Sequence, residues 1–125
     1  MKNETQLQIA ICNYLKIQYP KIIFFSEPSG LRTSIGIAVQ LKKMRSIGKL
    51  PDLFIAEPSG IYHGLFIEIK YSNIYKKDGT LLNNEHLQEQ NKILSILKKK
   101  GYMAVFAVGF DESKNIIDKY LISKK

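Results

Sequence analysis

Gly48-Lys49-Leu50-Pro51-Asp52-Leu53-Phe54-Ile55 and Gly64-Leu65-Phe66-Ile67-Glu68-Ile69-Lys70-Tyr71 are the two stretches on which the reading of this chain turns. Two short apolar runs, Asp52–Ala56 and Leu65–Tyr71, flank a turn of Glu57-Pro58-Ser59-Gly60. Short β-prone runs separated by Pro, Ser and Gly predict a β-hairpin with a medium loop. Folding the chain about Ser59–Ile61 brings Asp52 opposite Glu68, Ile69 or Lys70. Side chains alternate along a strand, so Phe66, Glu68 and Lys70 share one face, and Leu65, Ile67, Ile69 and Tyr71 the other. If the register pairs residues of equal parity, Asp52, Glu68 and Lys70 meet on one face of an otherwise apolar hairpin.

Two carboxylates and an ammonium in such a place need compensation. A buried charge costs several kcal/mol unless it is paired or coordinates a metal. Two close carboxylates repel, so one is driven toward protonation or a divalent cation neutralises both. Hard oxygen ligands suit Mg²⁺ or Mn²⁺, which keep several waters and can acidify one of them. A lysine alongside can orient the resulting hydroxide and stabilise charge in a phosphoryl transition state.

Pro51-Asp52 followed by Glu68-Ile69-Lys70 resembles the PD-(D/E)xK nuclease signature. The Glu-x-Lys part alone says little. Seven Glu and seventeen Lys in 125 residues give about one such triplet by chance, and Glu112-Ser113-Lys114 is a second. Context separates them. Glu112 opens a helical pattern, where an acid suits the N-terminal dipole. Glu68 lies inside a β-run, one strand after Pro-Asp. The plain alternative for Glu68 and Lys70 is a cross-strand ion pair on a wet sheet face.

Length and composition bound the rest. At 125 residues the chain is expected to be a single domain, 1–125, with a real core. An apolar fraction of 45% with 24% charged residues is ordinary globular composition. A net charge of +8 favours an acidic partner, most simply nucleic acid. The single cysteine, Cys12, excludes an internal disulfide or a cysteine-based zinc site. No apolar run reaches membrane-spanning length and no signal-peptide core is visible, so a cytoplasmic location, with no membrane partner, is expected.

Helical periodicity covers Asn3 to Tyr19, with Leu7, Ala10, Ile11, Tyr14 and Leu15 on one face and Pro20 as the stop. Glu4 extends that stripe, either as a first-turn charge on the dipole or as an acid aimed into a site. Ile22–Ser26 reads as a strand and Glu27-Pro28-Ser29-Gly30 as a turn. Thr33 or Ser34 can cap a second helix to about Ile47, with Ile37, Leu41 and Met44 inward and Lys42, Lys43 and Arg45 outward. After the hairpin, Ser72–Leu82 is a polar loop carrying Lys76, Lys77 and Asp78-Gly79. Asn83 or Asn84 caps a helix to Lys100, with Leu87, Asn91, Ile93, Leu94, Ile96 and Leu97 inward and Gly101 as its stop. Tyr102–Val108 reads as a buried strand, and Asp111 as the cap of a last helix with Ile116, Ile117, Tyr120 and Leu121 inward. The order αβαββαβα predicts an α/β fold, a mixed sheet of about four strands flanked by helices. His63 and His86 read as surface or loop histidines.

End to end, the chain resembles the small stand-alone VRR-NUC nucleases of phages and bacteria, a branch of the PD-(D/E)xK restriction-endonuclease-like superfamily. The resemblance runs through Glu4 and Leu7-Gln8, Tyr19-Pro20, Leu50-Pro51-Asp52-Leu53, Gly64 to Lys70, Gln90 ahead of Gly101-Tyr102, and Gly109-Phe110-Asp111-Glu112. It departs where family members often carry Gly directly before Pro-Asp, since this chain has Leu50 there and Gly48 two residues earlier. The resemblance implies that Asp52, Glu68 and the Ile69 carbonyl bind Mg²⁺ or Mn²⁺, with Glu4 in support. It further implies that Lys70 handles the attacking water and that Gln90, rather than the neighbouring Gln88, is the motif glutamine. Arg32, Lys42, Lys43, Arg45, Lys49, Lys76 and Lys77 are then the candidate DNA contacts. The implied activity is a metal-dependent, structure-selective DNA endonuclease that works as a homodimer in a bacterial or phage-infected cell and resolves four-way (Holliday) junctions. Two alternatives stand beside it: a general endonuclease or nickase without branch preference, and a non-catalytic basic nucleic-acid-binding module.

Overall fold

The computed structural model describes residues 3–27 and 34–122. Its elements are α1 (Glu4–Gln18), β1 (Phe24–Ser26), α2 (Ile35–Lys43), β2 (Leu53–Ile55), β3 (Leu65–Lys70), α3 (Glu85–Lys99), β4 (Met103–Val108) and α4 (Gly109–Ile122). This is the expected αβαββαβα order. The strands form one sheet in the order β1-β2-β3-β4, with β1, β2 and β3 antiparallel and β4 parallel to β3. A parallel neighbour needs a crossover, and α3 supplies it between β3 and β4.

Strand parity divides the protein into two layers. Leu53, Ile55, Leu65, Ile67, Ile69 and Ala107 face α1 and α4, where Leu7, Ile11, Leu15, Ile117, Tyr120 and Leu121 close the main core. Phe66 and Ala104 face the other way, against Leu94 and Leu97 of α3, with Phe54, Ile93, Tyr102 and Phe106 at the margin. The Phe54 and Phe66 rings stack at 4.4 Å across β2 and β3. Glu68 and Lys70 share the parity of Phe66, so the acid and the lysine lie on the α3 side of the sheet.

Local chemistry fixes the helix ends. Asn3, Ser34 and Asn84 each accept a backbone N–H in the first turn, from Gln6, Ile37 and Leu87 respectively. Gly101 stops α3 with φ +98, and a Cβ there would lie 2.5 Å from the His63 ring, so both conformation and space demand glycine. Tyr14 and Tyr19 of the α1 end donate to one Asp118 oxygen at 2.6 and 2.7 Å, and Lys114 reaches the other at 3.0 Å. These bonds draw the Asp118 carboxyl below its usual range, against the burial that opposes them. They tie α1 to α4.

Several expectations change, and on α3 Asn91 and Ile96, expected inward, are exposed. The helix α2 ends at Lys43 rather than near Ile47, and none of its residues is buried: Ile37 is 49% and Met44 74% exposed. Leu41 of its apolar stripe is half-buried while the rest lies exposed, and Arg45 just beyond the helix meets Glu27 at 2.9 Å. Asp111 does not cap the last helix either, because β4 runs straight into α4 at Gly109. The N–H of Val108 is taken instead by the Glu112 carboxylate at 3.2 Å, which accounts for the second Glu-x-Lys triplet structurally. Among the described residues, no helix is long and apolar enough to cross a membrane.

Candidate active site

The register of the hairpin assembles the acids. Leu53 pairs with Ile67 and Ile55 with Leu65, and the same register carried one residue outward sets Asp52 opposite Glu68. Asp52, fully excluded from solvent, receives the Ile69 N–H on Oδ2 at 2.9 Å and the Lys49 ammonium on Oδ1 at 3.0 Å. Glu68 is 5% exposed and hydrogen-bonded to Asp52. Burial, then the Asp52 carboxyl, pushes Glu68 up to about 9, and Lys70 and Lys49 offset only part of that rise. Without a cation, the pair therefore holds a proton at neutral pH.

A cavity of about 370 Å³ opens beside this pair, at the carboxyl end of β3. Its walls include Glu4 from the start of α1, Lys49, Glu68 and Lys70, and His86, Glu89 and Gln90 from the start of α3. Residues separated by more than eighty positions thus meet at one concavity. Gln88 lies outside it and donates to the Leu82 carbonyl at 3.3 Å.

Gln90 carries an unusual feature. Its Oε1 is buried without a hydrogen-bond partner among the described residues, while its Nε2 lies 3.2 Å from His86 Nε2. The two side chains are in hydrogen-bond contact at the cavity wall, with donor and acceptor set by the imidazole tautomer and the amide orientation.

Three residues take part here to which the sequence reading assigned no role at the site. Gln8, buried on α1, donates to Ser26 Oγ at 2.6 Å, to the Glu27 carbonyl, and to the Asp52 carbonyl at 3.4 Å, bracing the backbone that carries Asp52. Its position on the apolar stripe of α1 was the available signal, since a polar residue there needs a partner. His86 is exposed, as expected of a surface histidine, yet it lines the cavity and holds Gln90. Glu89 lines the same wall, and only the placement of α3 reveals it.

The candidate DNA contacts divide. Lys42 and Lys43 end α2 exposed. Lys76 and Lys77 sit in a turn closed by Lys76 N–H to Thr80 and Gly79 N–H to Lys76, so Ser72–Leu82 is a small ordered hairpin with a Tyr75–Leu81 bridge. Arg45 is engaged with Glu27 and Lys49 with Asp52. Arg32 lies outside the described residues.

Among the described residues, no group of three or more His, Cys, Asp or Glu forms a protein-only metal cage. The facing Asp52 and Glu68 carboxylates beside an open cavity are hard oxygen donors of the kind that fits Mg²⁺ or Mn²⁺. Mg²⁺ commonly takes one or two carboxylates and fills the rest with water and phosphate.

No family model and no curated protein matches this sequence. A solved structure described as "VRR_NUC domain protein" does match, at 28% identity and a TM-score of 0.72, over 100% of this chain and 94% of that one. Fold and element order agree with what the sequence implied, and over its full length the chain is similar to that VRR-NUC domain, a likeness that supports a nuclease domain of restriction-endonuclease-like fold.

Proposed function

We propose that this nuclease domain is a Mg²⁺- or Mn²⁺-dependent DNA endonuclease that acts as a homodimer on branched DNA, with four-way junctions as substrate. The carrying observation is the single cavity that gathers Glu4, Glu68, Lys70 and Gln90 against the buried Asp52. In this reading Asp52, Glu68 and the Ile69 carbonyl hold the ion and Glu4 supports it. A bound divalent ion would neutralise charge at the scissile phosphate and acidify water.

The chain's own groups do the rest. The Lys70 ammonium, next but one to Glu68 on the same face of β3, orients the attacking water and stabilises charge that develops on the phosphoryl oxygens. Gln90, held against His86 on the wall of the cavity, helps to position that water. Exposed Lys42, Lys43, Lys76 and Lys77 supply phosphate contacts that set position without reading sequence. Lys70→Ala is expected to lower single-turnover cleavage by about a hundredfold or more while metal affinity changes little. An unchanged rate would reduce the Glu68–Lys70 pair to a structural role.

A four-way junction has two symmetry-related scissile phosphates, and one chain carries one such site. A two-fold dimer provides two. The exposed Ile35, Ile37, Val39 and Met44 on and beside α2 support that helix as the contact between copies. The test is sedimentation of the protein beside cleavage of four-way, flapped and linear DNA in Mg²⁺, Mn²⁺ and Ca²⁺. The expected result is a dimer that places paired nicks in opposed junction strands, with binding that weakens steeply as salt rises. Ile35→Glu with Val39→Glu is expected to give monomers that lose the pairing. A wild-type monomer cutting linear duplex as well as junctions would leave the endonuclease and remove the resolving role. Binding without cleavage in every metal would leave only a basic binding module.

A further inference from the structure

Lys49 stands where a cation belongs. Its Nζ is 3.0 Å from Asp52 Oδ1, and the other Asp52 oxygen is taken by the Ile69 N–H at 2.9 Å. The Asp52 side chain is wholly buried, whereas that of Lys49 is 37% exposed and lines the cavity. The ammonium thus reaches inward from the cavity to satisfy a carboxylate that has no contact with solvent. Leaving such a carboxylate uncompensated carries a large penalty, so the metal-free protein holds itself together with its own lysine.

That arrangement competes with a divalent ion. An ammonium and a divalent cation cannot both sit against Oδ1, because like charges at contact repel strongly in a buried site. The competition favours the divalent ion, which brings twice the charge and neutralises Glu68 as well, whereas the partly exposed lysine supplies a single charge to Asp52 alone. Once released, the ammonium stays tethered on a flexible four-carbon stem at the same cavity that Lys70 lines. Phosphate oxygens are the ligands that two ammonium groups at such a cavity would take.

We propose that Lys49 is the built-in counter-ion of the carboxylate pair, displaced from Asp52 when a divalent cation binds and handed to a DNA phosphate, so that metal loading and DNA binding reinforce each other. This rests on the metal-dependent reading of the site. Metal loading then liberates a phosphate contact, and by linkage DNA favours the metal-loaded form by the same factor.

The test compares wild type with Lys49→Met, which keeps the length of the side chain without its charge, and with Lys49→Arg, which keeps the charge. Calorimetric titration of Ca²⁺ or Mn²⁺ into DNA-free protein is expected to give Lys49→Met about five- to tenfold tighter metal binding than wild type. Lys49→Arg is expected to return affinity toward the wild-type value. The ratio of four-way-junction affinities with Ca²⁺ and with EDTA, read by fluorescence anisotropy, is expected to fall in Lys49→Met. A lysine that merely props the loop would lower apo stability on removal without tightening the metal. Equal metal affinities in wild type and Lys49→Met, or an unchanged ratio, would overturn the role of Lys49 and leave the metal site standing. No saturable metal binding by either protein would overturn the metal-dependent reading and this inference with it.

Discussion

Glu68→Gln and Asp52→Asn are each expected to lower single-turnover DNA cleavage on the order of a thousandfold or more, while binding to the same DNA is retained or tightened. Both substitutions keep the shape of the side chain and remove one negative ligand oxygen. Among the described residues no three His, Cys, Asp or Glu are gathered closely enough to hold an ion, so Glu4 across the cavity does not make up for a directly facing carboxylate that is lost. The same loss removes charge that repels phosphate, so affinity for DNA moves the other way from activity. The two variants differ in what they do to the fold. Asn at 52 keeps an oxygen for the Ile69 N–H but gives up half of the Lys49 ion pair. Gln at 68 instead replaces a group that the folded protein already prefers uncharged. Quenched-flow cleavage with anisotropy on the same labelled junction reads both properties. Wild-type rates in either variant would remove these carboxylates from the chemistry.

Much of this site was written in local pattern. The turn residues Pro58, Ser59 and Gly60 define the middle of the hairpin, and the turn centre sets which residues face each other. Leu53 opposite Ile67 follows, and so does Asp52 opposite Glu68. Parity then sends Glu68 and Lys70 to the face away from the main core. What the pattern could not carry were contacts made by side chains from distant elements. An apolar stripe identifies a helix face but not its partner, so Ile37 and Met44 read as inward although both are exposed. Lys49 read as one surface charge among several because its turn toward Asp52 depends on the loop ahead of Pro51. Gln8 and His86 act through hydrogen bonds to Asp52 and Gln90, across gaps that no periodicity describes or, for His86, on a helix face chosen only once α3 is placed. Asp111 failed as a cap because the chain turns into the helix already at Gly109, which leaves Asp111 inside the first turn.

In EDTA, wild-type protein is expected to lose stability steadily as pH rises from about 5 to 9, and Glu68→Gln is expected not to share that loss. The unfolded chain gives up the Glu68 proton near 4.5, whereas in the folded protein burial and Asp52 hold it up to about 9. Below pH 4.5 both states are protonated and the contribution of this group to stability is present in full. Between the two values only the folded state keeps the proton, so each pH unit favours the unfolded chain by up to about 1.4 kcal/mol. Relaxation and water access to the site reduce the total, which comes to a few kcal/mol, on the order of 3. Above pH 9 the group is ionised in both states and its contribution has been lost. Glutamine has no proton to lose, so the difference between the two proteins isolates this group from every other titration. Urea midpoints in EDTA at pH 5, 7 and 9 are expected to show the variant gaining on wild type at each step. A divalent ion that binds the carboxylate pair competes with the same proton, so adding Mg²⁺ at pH 8 is expected to raise the wild-type midpoint and to release protons into a weakly buffered solution. Parallel curves for the two proteins from pH 5 to 9 would mean that Glu68 titrates as an ordinary exposed carboxylate, and the buried acid pair would then lose its part in metal binding.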